Sequence, residues 1–461
     1  YHADGQILEE VYVFGSYLQS KMHQQGVTCT DCHDAHTGQL HFPGDSVCFR
    51  CHSQVKYAVK EHHFHQPGTA GSFCVDCHMP PKNYMVVDPR HDHSLRVPRP
   101  DLSVRLGTPD ACSDCHNDKP VQWSADWAAK WYGPERRQER RYGEALAAGR
   151  AGQAGADLEL TALIQDPEMP GIARATALEQ LGRRLNEGSA DVIDTALRDP
   201  DPVVRMAALR AMEGLPPADR LRMAIPLLSD PVRTNRVEAV RALATVPPEM
   251  MNQQQRSRFL AGVEEYRSAQ MAIAERPEAH LNLGWLEATQ GNAAEAEQHY
   301  KQALERDPTF VPTFINLADL YRAQGREEEG EAQLRRALEL DSEVAEIHHS
   351  LGLLLVRRQQ YEEALASLAK AVELAPEQAR FSYVYGVALH DLRQVEASLE
   401  VLEQAHDRFP TNREILVALV SFLREAGDSQ SAAAYGQKLL KLDPTNPDLR
   451  QFVEQRSGAT G

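Results

Sequence analysis

The chain has 461 residues, of which 42% are hydrophobic and 25% are charged, a composition typical of a folded protein with roughly two to four domains. The net charge of −17 argues against nucleic acid as the main partner, because phosphate binding requires a basic surface. No apolar run approaches the roughly 18 residues that a membrane-spanning helix needs.

The cysteines and histidines are concentrated in the first quarter of the sequence. All eight cysteines lie between Cys29 and Cys115, and 13 of the 19 histidines lie at or before His116. The first residues contain neither an initiator methionine nor a basic and apolar leader, so we expect a trimmed or partial product. The uneven distribution of cysteine and histidine requires a chemical explanation.

Four segments of this region share the pattern Cys-x-x-Cys-His, which is the attachment signature of c-type haem. Two thiols three residues apart can form thioethers with both vinyl groups of one porphyrin, and the next residue offers an imidazole to the iron. The predicted attachment residues are Cys29, Cys32 and His33; Cys48, Cys51 and His52; Cys74, Cys77 and His78; and Cys112, Cys115 and His116.

Three other interpretations of the cysteines are weaker. Disulfides give no reason for a histidine after every second cysteine. Zinc is the serious competitor, since the 15 residues between Cys32 and Cys48 fit a zinc ribbon. Even at the high local frequency of histidine, the probability that a histidine follows the second cysteine of all four motifs by chance is on the order of one in ten thousand. A thioredoxin-like redox site would use one Cys-x-x-Cys pair, not four.

Four haems between Cys29 and His116 leave about 22 residues for each, so we expect the haems themselves to form the core. Bis-histidine ligation needs four more imidazoles out of nine available ones. The predicted distal ligands are His23, His36, His62, His65 and His93, and His93, or failing it His91, is assigned to the haem at Cys112 and Cys115. Met79 and Met85 are less favoured ligands. The remaining histidines have hydrogen-bonding roles or serve haems outside this chain.

A helical connector is predicted after the fourth motif. Trp123, Trp127 and Trp131 follow one another at intervals of four residues, which puts them on one helix face. The favoured interpretation is a core stripe that seals one domain against the next. The alternative is contact with the edge of a cofactor.

Two kinds of helical repeat follow the connector. The Asp-Pro pairs at 166–167, 199–200 and 230–231 recur between apolar helical stretches, a pattern that resembles HEAT repeats. From 277 onward the period is a strict 34 residues. Small residues at positions such as Ala303, Ala337 and Ala371 keep this spacing, which is the tetratricopeptide pattern. His348 and His349 lie inside a repeat helix, where surface or packing roles are expected.

The whole chain resembles multihaem c-type cytochromes with a C-terminal tetratricopeptide array, related to the cytochrome c nitrite reductase and octahaem groups. The resemblance rests on residues 26–33 (GVTCTDCH), 74–80 (CVDCHMP) and 92–101 (DHSLRVPRPD). Such cytochromes carry further motifs upstream, so we expect the C-terminal part of a longer cytochrome or a shortened relative. The Cys-x-x-Cys-Lys motif of nitrite reductases does not occur here, so no catalytic residue is assigned.

The sequence therefore predicts a mostly helical protein in which an irregular, haem-packed cytochrome domain precedes an α-solenoid. The predicted segments are a tetrahaem domain (1–120), a helical connector (121–155), HEAT-like repeats (156–250), a linker helix (251–276) and five tetratricopeptide repeats (277–455).

The predicted function is electron transfer through four haem c groups in a periplasmic or extracellular protein. Its solenoid would dock redox partners or further copies of the chain, and in one version of this hypothesis the copies form a filament. We expect no nucleic-acid partner and no membrane-spanning segment. The second hypothesis is a reductase of nitrite, hydroxylamine or a related nitrogen or sulfur oxyanion, or its electron-delivery half. Lys82, Tyr84, Arg90 and His91 would then bind the anion and deliver protons. The third hypothesis is a scaffold whose haems only report redox state.

Overall fold

The computed structural model describes residues 1–9, 12–133, 142–153, 155–185, 188–442, 449–451 and 453. These residues are mostly helical, as predicted, and they form two compact units, Tyr1–Leu215 and Pro216–Gly461. The boundary between the units falls inside the predicted HEAT-like segment, and the finer segment boundaries stay predictions.

The first unit begins with short elements that are separated by turns. Its helices up to the fourth motif have four to seven residues, and two strands form an antiparallel hairpin in which Lys82 pairs with Arg90. 3-10 helices cover Cys29–Asp31 and Gly44–Arg50. The helices are α1 (Val13–Tyr17), α2 (Lys21–Gln24), α3 (Gln54–Tyr57), α4 (Lys60–His63), α5 (Cys74–His78) and α6 (Pro100–Leu106), and the strands are β1 (Pro81–Tyr84) and β2 (Asp88–His91).

The second part of the first unit consists of longer helices. The first of them packs on α6 through its buried Ser124 and Ala125. Asp166, Asp199 and their following prolines lie in the turns between helices, as the pattern predicts. The helices are α7 (Val121–Tyr132), α8 (Tyr142–Arg150), α9 (Ala156–Gln165), α10 (Gly171–Gly182), α11 (Ser189–Ala196) and α12 (Pro202–Ala211), and a 3-10 turn covers Met212–Gly214.

The second unit opens with three helices and continues as a regular array of helix pairs. The opening helices are α13 (Pro217–Ala224), α14 (Arg233–Leu243) and α15 (Gln253–Met271), with 3-10 turns at Ile225–Ser229 and Pro248–Met250. The first helices of the pairs are α16 (Pro277–Thr289), α18 (Val311–Ala323), α20 (Ala345–Arg357), α22 (Ala379–Asp391) and α24 (Arg413–Glu425). The second helices are α17 (Ala293–Arg306), α19 (Glu327–Leu340), α21 (Tyr361–Leu374), α23 (Val395–Arg408) and α25 (Ser429–Leu442).

The helix bounds repeat with the period that the sequence predicts. Equivalent helices begin 34 residues apart throughout the array. The two helices of a pair pack closely because small residues face large ones: a Cβ added to Gly352 would lie 2.6 Å from Cγ of Leu368, and one added to Gly386 would lie 2.7 Å from Cγ of Leu402. Ala337 and Ala371 are fully buried at the same contacts. The predicted repeat solenoid is therefore confirmed.

Candidate functional site

Each Cys-x-x-Cys-His motif forms one tight helical turn. The amide of the histidine donates to the carbonyl of the first cysteine in three motifs, over 2.9 Å at His33, 3.0 Å at His52 and 2.8 Å at His116. The third motif is helix α5 itself. Residues three and four apart share one face of such a turn, so both thiols and the imidazole are presented on one side, as attachment to a single porphyrin requires.

The eight cysteines are free thiols, and they bring neighbouring motifs together. The side chains of Cys48 and Cys74 are close enough for each to shift the pKa of the other, downward for Cys48 and upward for Cys74, which places the second motif beside the third. Burial, with the nearby charge of Asp110, raises the pKa of Cys112 to about 12, and burial also raises the pKa of Cys77. Within the described part of the chain, no group of three or more His, Cys, Asp or Glu side chains could hold a metal ion; an axial pair of imidazoles on a haem iron is not such a group.

Three of the four motif histidines face a second imidazole. The ring centroids lie 6.3 Å apart for His33 and His93, 6.2 Å for His78 and His62, and 6.2 Å for His116 and His65. The interplanar angles of 30°, 8° and 34° show that the ring planes are nearly parallel or moderately tilted.

The spacing of these pairs fits one iron between two imidazoles. An imidazole nitrogen lies about 2.0 Å from a first-row metal ion that it binds, and the ring centroid lies roughly 1.2 Å behind that nitrogen, so two axial imidazoles have centroids about 6.4 Å apart. The residues present therefore fit a bis-histidine haem at three of the four motifs.

Hydrogen bonds at the other ring nitrogen fix how the paired imidazoles are presented. The Nδ1 atoms of four paired histidines donate to backbone carbonyls: His33 to Gly38 (2.8 Å), His78 to Arg96 (2.8 Å), His93 to His91 (2.8 Å) and His65 to His63 (2.5 Å). A carbonyl only accepts, so the proton is on Nδ1 and Nε2 is left as the unprotonated, metal-binding nitrogen. His41 has the opposite arrangement, because its Nε2 lies 3.0 Å from the Thr30 carbonyl.

The guanidinium group of Arg96 lies beside the third motif, where it forms an ion pair with the Asp4 carboxylate at 3.6 Å. Nη2 of Arg96 donates to the Asp4 carbonyl over 2.8 Å, whereas Nη1 is buried and has no hydrogen-bond partner among the described residues. An unpaired buried guanidinium nitrogen is costly, and a carboxylate such as a haem propionate would satisfy it. Arg96 is also the residue whose carbonyl holds the His78 ring.

The tryptophan face of α7 lies against the paired histidines. Trp123 lies 4.8 Å from the ring of His116, and Trp131 stacks on Phe64 at 4.5 Å and lies 6.5 Å from His65. The three tryptophans are only half-buried, while Ser124 and Ala125 form the buried face of the helix. The core-stripe interpretation is therefore wrong, and the stripe borders the proposed cofactor site.

The structure places the remaining predicted ligands as follows. His93 pairs with His33, so the expected pairing of His93 with the fourth motif is wrong; His65 takes that position. The ring of His23 contacts Tyr17 at 5.6 Å, and His36 is exposed. Neither contacts the ring of a motif histidine among the described residues.

The residues proposed for anion binding hold the hairpin together. Nζ of Lys82 donates to the carbonyls of Ile7 and Leu8 over 2.8 Å each. Arg90 pairs with Asp88 and lies over the Tyr84 ring. The ring of His91, by contrast, is exposed and donates to the Met79 carbonyl over 2.7 Å.

Sequence reasoning missed several residues that orient this site. Phe64, with a left-handed φ of 57°, ends α4 and turns the chain so that His62 and His65 serve different motifs. The carbonyl groups of Gly38, His63 and Arg96 accept hydrogen bonds from the rings of His33, His65 and His78. No side-chain pattern marks a carbonyl acceptor, and a left-handed non-glycine residue has only a weak sequence signal.

Comparison with known proteins bears on the second unit. Models of the tetratricopeptide repeat match residues 287–354 and residues 254–309, 349–413 and 386–447. The C-terminal region is a tetratricopeptide-repeat array. Its repeats indicate a role in docking partner proteins or peptides. No curated protein matches the chain.

The chain is similar over part of its length to several solved structures. MamA is 22% identical over 37% of this chain and 94% of that protein, with a TM-score of 0.33. YrrB, described as a TPR protein with an unusual peptide-binding site, is 19% identical over 41% of this chain and 96% of that protein, with a TM-score of 0.33. PilF of Pseudomonas aeruginosa is 21% identical over 42% of this chain and 89% of that protein, with a TM-score of 0.35. None of the described helices is both long and apolar enough to cross a membrane.

Proposed function

We propose that the chain is an electron-transfer protein that carries four covalently attached haem c groups in residues 1–120 and docks a partner through its tetratricopeptide array. The observation that carries this proposal is the set of three imidazole pairs at 6.2–6.3 Å, each containing one motif histidine.

The side chains at each site would have different roles in attaching the porphyrin and in binding the iron. The two cysteines of a motif anchor the porphyrin as thioethers, and the motif histidine binds one face of the iron. When bound, haem iron alternates between the ferric and ferrous states and so carries one electron. His93, His62 and His65 would supply the opposite ligand to the first, third and fourth groups, and their Nδ1 hydrogen bonds, where present, hold the rings in place before and after electron transfer.

The close approach of the motifs supports transfer along a row. Cys48 and Cys74 are near enough for each to shift the pKa of the other, and Cys77 is near enough to Cys112 for its charge to raise the pKa of Cys112. Haem groups attached at these positions would be near neighbours in the order second, third, fourth. Bis-histidine ligation leaves no open position on those irons and favours low reduction potentials.

The array would dock the electron donor or acceptor, or a further copy of this chain. Its first helices contact each other from one repeat to the next, at α16–α18, α18–α20 and α22–α24, which is the arrangement that forms a continuous binding face in solenoids. Haem c is attached outside the cytoplasm, so we propose a periplasmic or extracellular location.

The test is spectroscopic. The protein is expressed in a host that attaches haem c, and its haem content and iron spin states are measured by pyridine haemochrome and by electron paramagnetic resonance. We expect four haems per chain, with low-spin ferric iron at the three paired sites. Replacing His62 by Ala should convert one low-spin centre to high-spin, because it removes the partner of His78.

The matched control is His41→Ala, since the His41 ring is bonded to Thr30 through Nε2 and pairs with no motif histidine in the described chain. This variant should retain the wild-type spectrum. Equal spectra for both variants, or a protein without haem from the same host, would overturn the proposal.

A further inference from the structure

One face of α7 contacts both imidazoles of the pair at the fourth motif. The Trp123 ring centroid lies 4.8 Å from that of His116, with the ring planes at 51°. Two turns further along the helix, the Trp131 ring lies 6.5 Å from the His65 ring, at 75°. His116 and His65 are the two rings that lie 6.2 Å apart at this motif. A single helix therefore borders the motif histidine and the imidazole opposite it.

The tryptophans form a row of contacting rings between these two imidazoles. The Trp127 ring lies 6.1 Å from that of Trp123 and 5.6 Å from that of Trp131. Residues four apart in a helix lie above one another on one face, so each ring restricts the positions open to the next. Nζ of Lys130 lies 4.2 Å over the Trp127 ring, a cation–π contact that favours this position. The two end rings are thus held at a defined separation along α7.

The end of α7 also holds the chain segment that carries the His65 ring. Trp131 stacks on Phe64 at 4.5 Å, with ring planes 2° apart, and the Tyr132 hydroxyl donates to the His62 carbonyl over 2.5 Å. Phe64 is the left-handed residue at which this segment turns between His62 and His65. The stacking contact therefore fixes the backbone from which the His65 imidazole projects.

We propose that the tryptophan face of α7 is a positioning surface for the fourth haem, in which Trp123 sets the orientation of the His116 ring and Trp131 sets that of the His65 ring. This inference rests on the proposed function, because it requires the haem. The planes of the two imidazoles lie at 34° to each other. The angle between two axial imidazoles sets the splitting of the d orbitals in low-spin ferric iron, and residues around the ligands hold that angle.

The experiment records the electron paramagnetic resonance spectrum of the oxidised, full-length haem protein. A His65→Ala variant first identifies the signal of the fourth haem, which loses the imidazole opposite His116 and becomes high-spin. We expect Trp123→Ala and Trp131→Ala each to shift the largest g value of that signal, because the ring that they release can rotate. Trp123→Phe keeps an aromatic ring against His116 and should restore the wild-type value.

The matched control is Trp285→Ala, which removes the tryptophan of the array and should leave every g value unchanged. If an alanine variant loses haem, leucine at the same position keeps an apolar side chain without a flat ring and should produce the same shift. An unshifted signal in a variant that carries four haems would overturn this inference and leave the electron-transfer proposal standing. A wild-type protein without haem, from a host that attaches it, would overturn the electron-transfer proposal itself.

Discussion

The motif region and the repeat array differ in what they bury. Among the described residues before 134, four apolar residues are buried, Ala3, Tyr17, Leu102 and Ala125, against ten polar or charged ones. In residues 277–442, 35 buried residues are apolar and seven are polar or charged. Large exposed hydrophobic side chains show the reverse distribution, with 14 in the first region and two in the second.

This difference separates two ways of stabilising a fold. The array buries its own apolar side chains, each of which contributes about 1.5–3 kcal/mol when fully removed from water. The motif region has too few such residues to offset the conformational entropy of its chain. Its apolar partner would be the macrocycles, against which side chains such as Phe42 and Phe73, exposed in the protein chain alone, would pack.

The largest expected effect comes from preventing haem attachment. Chain produced in a compartment without attachment machinery should lose the structure of residues 1–133 and keep that of the array, because the array has an apolar core and residues 1–133 bury few apolar side chains. Hydrogen exchange with peptide-level mass analysis measures this. Near-complete loss of protection before residue 134 with unchanged protection after 277 is the predicted pattern, and protection of both regions would contradict the comparison.

Removing a large buried side chain from the array should lower the stability of the array. Leu355 is fully buried and belongs to the core cluster that surrounds α20. Leu355→Ala should reduce the free energy of unfolding of the array by about 2–5 kcal/mol, measured from the urea unfolding midpoint. The control is Leu260→Ala, whose side chain is half exposed and should change stability by about 0.5 kcal/mol or less. Equal effects would argue against an apolar core as the source of stability.

Crowding two helices at a close contact should lower the stability of the array by somewhat less than the cavity variant does. A methyl group added at Gly352 meets Leu368 at 2.6 Å, so Gly352→Ala should destabilise the array by about 1–3 kcal/mol. At Gly330 the nearest atom lies at 3.3 Å, and alanine also favours the helix over glycine by up to about 1 kcal/mol. We expect Gly330→Ala to be neutral or stabilising. A stabilised Gly352→Ala variant, in the same urea measurement, would show that the contact is loose.

The smallest expected effect is electrostatic. Hydrogen bonds from Arg326 and Lys301 lower the pKa of Glu297 to about 2. A depressed carboxyl pKa contributes stability above the unfolded value of about 4.3, and the contribution is lost as the pH falls toward 2. Glu297→Gln should cost about 1 kcal/mol at pH 7 and flatten the acid branch of the stability profile.

The matched control for this variant is Glu339→Gln, which removes an exposed ion pair with Arg336. Such surface pairs contribute little, so the acid branch of the profile should stay as in the wild type. If the Glu297→Gln variant also retained the acid branch of the wild type, the interaction between Glu297 and Arg326 would make no contribution to the free energy of unfolding.

The repeat array could be predicted from the sequence because its signals are local and recur. Each 34-residue unit repeats the same small residues and turn positions, and the helices begin with that period. The helical face that carries Trp123, Trp127 and Trp131 was predictable for the same reason, since it depends only on spacing within α7.

The partners of the motif histidines could not be predicted with the same certainty because they depend on tertiary contacts. His93 precedes the fourth motif in sequence but lies opposite His33, sixty residues earlier. His62 and His65 are three residues apart, yet the left-handed Phe64 directs them to different motifs. Sequence proximity was a poor guide wherever one backbone conformation decided the direction of the chain.

The central claim is that this chain carries four covalent haems at its four motifs. The most direct measurement is the intact mass of the full-length protein from a host that attaches haem c, followed by mapping of the modified peptides. The account predicts an increase in mass equal to four haem groups, with both cysteines of every motif modified. An unmodified chain, from cells that attach haem to a control c-type cytochrome, would contradict it.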